Sequence, residues 1–157
     1  MYPESSEGLN RETKEAIYFF TTAFHPFDNF SAHAISLWGR LFPTAEHAFQ
    51  WKKFSITAPD IAEKIFVARS PHAVKLISDR LKDKIPTDWH SIKVGVMEEV
   101  LRAKVDQHED VKELLLKTGS RTIVENSPVD RFWGSGAEGT GQNKVGEIYM
   151  KIRKSLV

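Results

Sequence analysis

Pro43-Thr44-Ala45-Glu46-His47-Ala48-Phe49-Gln50-Trp51-Lys52-Lys53-Phe54 carries the first clear helix of the chain, and its punctuation sets the reading of what surrounds it. Proline ends an extended segment, and Thr44 offers a side-chain oxygen to the orphan amides of the turn that follows. The same signature recurs downstream. Thr57 precedes Pro59 and Asp60, residues suited to a first helical turn, and Ile61, Ile65 and Phe66 follow. Ser70-Pro71 opens onto Val74, Leu76, Ile77 and Leu81. After Pro86-Thr87, the residues Ile92, Val96, Val100 and Ala103 recur at steps of four, four and three, which predicts one buried stripe on a helix.

Upstream, Ala16 to Phe20 is a short aromatic and β-branched run that predicts a strand, and Phe24 to Phe30 reads as an aromatic loop broken by Pro26 and Asn29. Ile35-Ser36-Leu37-Trp38 alternates, with Gly39-Arg40 as the turn of a hairpin completed by Leu41 and Phe42. Downstream, a helix from Asp110 ends at Gly119, Thr122 to Glu125 reads as a strand, residues 126–144 as loop, and Val145 to Leu156 as a closing amphipathic helix. Helix starts outnumber strand signals and do not alternate with them. The expected fold is therefore α+β: a single helix-rich domain over residues 15–157 with a few short strands, preceded by a polar leader over residues 1–14.

A chain of 157 residues with 41% hydrophobic and 27% charged residues can bury one core. Its formal charge of +1 gives no global field for nucleic acid or an anionic membrane. The absence of cysteine excludes disulfides, thiol catalysis and cysteine-rich zinc sites. The six histidines show no His-Glu-x-x-His pair, so neither a metal nor a cofactor is expected. The polar, acidic start lacks the character of a secretory signal, and no apolar run reaches membrane length, so a cytoplasmic location is expected.

On the helix from Thr44, Glu46, Gln50 and Lys53 fall on one polar stripe over two turns. Such a stripe is ordinarily a solvated face. Here Phe49 lies on one side of it and Phe54 with His47 on the other, while Ala45, Ala48 and Lys52 occupy the opposite face. If those aromatics are buried, an acid and an amine go inward with them and need partners. A carboxylate so held can stabilise an oxocarbenium-like sugar or orient water, and a desolvated lysine can attack an opened sugar aldehyde. The spacing allows both roles without choosing.

Ser127 to Asn143 is the second candidate region. Five of the nine glycines fall between residues 134 and 146, just after Phe132-Trp133. Gly134, Gly136 and Gly139 satisfy G-x-G-x-x-G, yet the preceding strand ends too early and too little chain follows for the ribose-binding acid of a dinucleotide fold. What remains is either a plain surface loop or a backbone cradle for a sugar or anion, with Trp133 as a stacking face and Asp130 as an acceptor for ribose hydroxyls. Thr87-Asp88-Trp89 adds a tryptophan in a helix's first turn, a position that suits a core anchor as well as a ligand platform.

Phe27-Asp28-Asn29-Phe30-Ser31, Pro43 to Phe54, Asp88-Trp89 with Lys93 and Met97, and Glu125 to Gly136 through Gly141 to Gly146 resemble the YbiA-like, or NADAR, family in order and spacing. The resemblance covers residues from about 16 to 154. It implies cleavage of N-glycosidic bonds in phosphorylated or nucleotide-linked ribosides. In one branch these are early riboflavin-pathway intermediates, the ribosylaminopyrimidine phosphates, and in another ADP-ribose adducts on guanine, the case in which nucleic acid would be a partner. By motif, Glu46 matches the family's catalytic glutamate and Lys53 the lysine proposed for covalent catalysis, while Trp89, Asp130 and Trp133 match further active-site positions. The expected site is thus Glu46, Lys53 and Asp130 for catalysis, with Trp89, Trp133, Asn29, Gln50, Gly134, Gly136 and Asn143 binding a small ribosylated or ADP-ribosylated substrate. A non-catalytic ADP-ribose or NAD-binding module is the alternative of a different class.

The chain departs from the family pattern in places. Asp28 stands where a small residue is usual, Ser78-Asp79 replaces a Gly-Arg pair, and Pro86-Thr87 replaces a basic residue. Arg69, Arg80 and Lys84 are the candidate substitutes for holding phosphate, and the sequence does not rank them.

Overall fold

The computed structural model of the chain describes residues 9–20 and 25–157. The first eight residues of the expected leader, and Phe24 of the expected aromatic loop, lie outside the described residues. In chain order the elements are β1 (Arg11–Glu12), β2 (Ala16–Phe19), β3 (Ile35–Leu37), β4 (Arg40–Phe42), α1 (Ala45–Phe54), α2 (Pro59–Phe66), α3 (Pro71–Arg80), a 3-10 turn at Lys82–Lys84, α4 (Trp89–Gln107), α5 (Glu109–Lys117), β5 (Thr122–Glu125) and α6 (Lys144–Ser155). The class is α+β, as the helix punctuation implies. Two compact units form, one from the residues up to Asp28 together with His108–Val157, the other from Asn29–Gln107.

The first unit holds a three-stranded sheet in the order β1-β2-β5. β2 runs parallel to β5 with Ile17 opposite Ile123, and β1 lies antiparallel to β2 with Arg11 opposite Tyr18. Arg11 and Glu12, within the polar segment read as a leader, therefore form a paired edge strand. It is held by its ladder, by the Arg11 guanidinium 3.9 Å above the Tyr18 ring and by the Arg121–Glu12 ion pair. No hydrophobic alternation announces such a strand. α6 packs on β5, and Phe19, Phe27 and Tyr149 form an aromatic cluster beneath. The Tyr149 hydroxyl donates to the Phe27 carbonyl at 2.9 Å, and burial pushes its pKa well up.

In the second unit β3 and β4 form a hairpin whose turn is Trp38-Gly39, one residue earlier than the expected Gly39-Arg40. Both turn residues have positive φ, 52° and 78°, the left-handed pair that a two-residue hairpin requires. A tryptophan is strained there, and tertiary contacts hold it: its ring stacks on Trp51 and its Nε1 donates to Glu99 at 3.0 Å.

α1 is the hub of this unit, packed against α2, α3 and α4. Thr44 caps it by accepting from the His47 amide, and Ser70 caps α3 by accepting from Ala73. Thr57 caps nothing: its hydroxyl donates to the Lys84 carbonyl, and the N-cap of α2 is Ala58. Phe54, Ala58, Ile61, Ala62, Ile65 and Val74 form one apolar core. On the face of α1 opposite the polar stripe, Ala45 and Ala48 are fully buried and Lys52 reaches over the Trp38 ring. Small side chains let neighbouring elements close on that side, so α1 is enclosed nearly all round. The expectation for Ile92 on α4 is corrected. It is 43% exposed, because the buried stripe of α4 starts at Trp89 and continues through Val96, Val100 and Ala103.

His47 is 1% exposed, with Nδ1 facing the Thr44 hydroxyl at 2.8 Å and Nε2 facing the Ala68 carbonyl at 2.9 Å. Burial lowers its pKa below the ordinary 6.5, with the Ala68 carbonyl opposing. The unfolded ring takes up a proton from pH 6.5 downward while the folded ring stays neutral, so this histidine's contribution to stability is complete above pH 6.5 and is lost as pH falls through the folded pKa. Urea unfolding midpoints are expected to drop from pH 7 to pH 5, with a shallower drop in His47→Gln; equal slopes in the two proteins would contradict this role. Among the described residues no helix is long and apolar enough to cross a membrane.

Candidate functional site

Glu46 and Gln50 of the polar stripe are buried with its aromatic flanks, and Lys53 is half-buried. Glu46 is 7% exposed and Gln50 9%. A single directed row of hydrogen bonds joins its members through α3. Lys53 Nζ donates to Ser78 Oγ at 3.2 Å, Ser78 donates to Gln50 Oε1 at 2.8 Å, and Gln50 Nε2 donates to Glu46 Oε1 at 2.9 Å. Every donor points from the amine towards the carboxylate. That is the arrangement that a charged amine at one end and a charged acid at the other stabilise.

Lys53 sits in an aromatic socket, its Nζ 5.7 Å from the Trp89 ring and 5.9 Å from each of Phe49 and Phe54. Burial lowers its pKa; Glu46 and Asp79 oppose that shift, while Lys75 and Lys93 add to it. An amine so placed gains neutral fraction, the form that acts as a nucleophile. Trp89 is 3% exposed and packs on Phe49 with ring centroids 5.2 Å apart, so it forms the floor under Lys53 and anchors the core, the plainer of its two sequence readings. Asn29 joins the same group: its carbonyl accepts from the Glu46 amide at 3.1 Å, and its Nδ2 lies 3.5 Å from Met97 Sδ. Its side-chain Oδ1 is buried without a hydrogen-bond partner.

Beside Lys53 opens a cavity of about 460 Å³, lined also by Ser78, Asp79, Lys82, Ile85, Pro86, Thr87 and His90. None of Arg69, Arg80 and Lys84 lines it; Lys82 is the basic side chain that does so besides Lys53. Sequence reading missed Ser78, Lys82 and His90 as site residues. For Ser78 a signal existed, because it lies one helical turn after the fully buried Val74, where a core-facing residue belongs.

In the other unit the glycine segment is a tightly bonded loop. Ser127 Oγ accepts from the amides of Val129 and Asp130, and Asp130 Oδ1 accepts from those of Phe132 at 2.9 Å and Trp133 at 2.7 Å. Asp130 thus shapes the turn that presents Trp133. The amides of Ser135, Gly141 and Asn143 bond to the carbonyls of Glu125, Ser135 and Gly134. A Cβ at Gly134 would lie 2.8 Å from the Glu125 carbonyl oxygen, so this glycine lets the loop lie against the strand end. Gly136 has φ of 70° and would meet Arg131. Asn143 presents its Oδ1 to the Glu125 amide and its Nδ2 to the Ile123 carbonyl, clamping β5. For Gly134 and Asn143 these are fold-holding roles that the expectation of substrate binding did not include.

A hydrogen-bonded acid and amine on an enclosed helix, within an α+β fold, define a candidate glycosyl-bond site. Residues 10–157 match the NADAR domain, and the chain belongs to that family. It is similar to the protein named N-glycosidase YbiA of Escherichia coli (strain K12), with 37% identity over 143 residues, 89% of this chain and 88% of the relative. It is 34% identical over 156 residues to the chloroplastic riboflavin biosynthesis protein PYRR of Zea mays, covering 90% of this chain and 25% of that protein. The NMR structure of E. coli YbiA superposes with a TM-score of 0.80 at 34% identity, over 97% of this chain and 90% of that one.

Proposed function

We propose that the protein is an N-glycosidase, acting in the cytoplasm on a small ribosylated substrate, the ribosylaminopyrimidine phosphate of the early riboflavin pathway. The directed row from Lys53 to Glu46 beside an open cavity carries this reading. It is supported by family membership and by relatives named N-glycosidase and riboflavin biosynthesis protein.

In the proposed reaction the bond between ribose C1 and the base nitrogen breaks, its electron pair leaving with the base. Glu46 faces the positive charge that develops at C1 and takes a proton from the water that attacks there; that proton passes on to the nitrogen of the departing base, which restores the carboxylate. Ribose 5-phosphate and the free base are the products. Lys53 acts on the sugar from the other end of the row, either through its charge or by condensing with the opened aldehyde. Trapping with borohydride separates the two: a sugar adduct on Lys53 identifies the imine route, and turnover without an adduct identifies direct attack by water. By family match, Asp130 is proposed to serve the same reaction, with Trp133 stacking the base, Asn29 and Gln50 meeting sugar hydroxyls, and the loop of Gly134, Gly136 and Asn143 holding ribose or phosphate oxygens.

Incubating the purified protein with ribosylaminopyrimidine phosphate is expected to yield base and ribose 5-phosphate in equal amounts. Release from ADP-ribosylated guanine alone would move the substrate to the other branch of the family. Tight binding of ADP-ribose with turnover of neither substrate would overturn the enzyme reading.

A further inference from the structure

We propose that Ser78 is a positioning residue that couples the protonation of Lys53 to that of Glu46 by fixing the direction of the hydrogen bonds between them. The inference rests on the catalytic reading of those two residues. Ser78 is 2% exposed and sits between helices, with its hydroxyl 3.2 Å from Lys53 Nζ on one side and 2.8 Å from Gln50 Oε1 on the other. A hydroxyl has one proton to give. Given to Gln50, it leaves lone pairs facing Lys53, which suits an ammonium. Gln50 is then held with its amide nitrogen towards Glu46, which suits a carboxylate.

The row has one other fully bonded state. A protonated Glu46 would donate to Gln50 Oε1, the turned amide would donate to Ser78, and Ser78 would donate to a neutral Lys53. The total number of protons is the same in both states. One proton has moved from the amine to the acid, exchanged at each end with water or substrate. The second state offers a neutral amine nucleophile and a carboxylic acid able to protonate a leaving base, the pair that the imine route requires. Ser78 and Gln50 join the two ends, so that Lys53 loses its proton together with a gain at Glu46. The other charged or titratable groups around Lys53 are Lys75 and Asp79 of α3, Lys82 of the 3-10 turn, and His90 and Lys93 of α4. None of these appears in the bonded row.

Ser78→Ala and Ser78→Thr test the coupling. The labelling of the Lys53 amine by an acylating reagent is followed against pH by peptide mass spectrometry, alongside the pH profile of base release. In Ser78→Ala the ammonium loses its acceptor, so the midpoint of labelling should move to lower pH and the rate below the midpoint should rise roughly fivefold, since the neutral fraction scales tenfold per pH unit. The kcat of base release should fall about tenfold with a smaller change in KM, and Ser78→Thr, which keeps the hydroxyl, should restore both. An unchanged labelling midpoint in Ser78→Ala overturns the proposal, even if activity falls. A shifted midpoint in a protein whose wild type releases no base upholds the coupling and overturns the glycosidase reading instead.

Discussion

Glu46→Gln is expected to slow base release by roughly a thousandfold while leaving the fold intact. The glutamine side chain has nearly the same volume, and its amide oxygen can still accept from Gln50 Nε2, the contact that holds Glu46 in the native row. What is lost is charge. Stabilisation of the cationic sugar by a preorganised carboxylate contributes on the order of a hundredfold to a thousandfold, and proton abstraction from water is of similar size. The two act in one step and are not additive. Lys53 feels the change as well, because Glu46 is the first of the charges that hold its proton on. Initial rates with matched circular dichroism spectra check the expectation. Equal rates for the two proteins would remove Glu46 from the chemistry.

Gly146→Ala is expected to cost more than about 3 kcal/mol of stability, at the upper end of the overpacking range and a large share of the roughly 5–15 kcal/mol that a domain possesses. Gly146 lies in the first turn of α6, where the helix meets β5. A Cβ there would run into the Ile123 carbonyl and the Asn143 side-chain amide. Neither can give way. The carbonyl is backbone of β5 and accepts from Asn143 Nδ2 at 2.8 Å, and the Oδ1 of the same amide is tied at 2.9 Å to the Glu125 N–H. The urea midpoint measures the loss, and a midpoint within experimental error of wild type would contradict this packing role.

These glycines show where the sequence was informative and where it was not. A cluster of five beside Phe132-Trp133 marks a segment with unusual backbone demands, and the structure meets that description at Gly136 with its positive φ. Composition cannot reveal what crowds a glycine. At Gly134 and Gly146 the neighbour is β5, which local pattern does not connect to the loop. Helices were legible because Thr44, Ser70 and the prolines act within one turn of themselves, a range that sequence displays directly. β1 was not, since two exposed polar residues carry no hydrophobic alternation and their partners Tyr18 and Arg121 lie elsewhere in the sequence. The Trp38-Gly39 turn was shifted for a related reason: Trp51 and Glu99, far along the chain, hold a tryptophan where local preference would refuse it.

The same boundary runs through the site. Glu46, Gln50 and Lys53 were found together because a helix repeats every 3.6 residues. Ser78, which completes their row, comes from another helix and was visible only as a serine on an otherwise apolar face. Ala45 and Ala48, opposite that stripe, are fully buried, and small residues on a central helix are what allow neighbours to approach.

A crystal structure of the Glu46→Gln protein with ribose 5-phosphate bound is the most direct measurement of the account. The expected result places the sugar beside α1, with its anomeric carbon between residue 46 and the Lys53 amine. A sugar bound away from this helix, with Lys53 and residue 46 untouched, would contradict it.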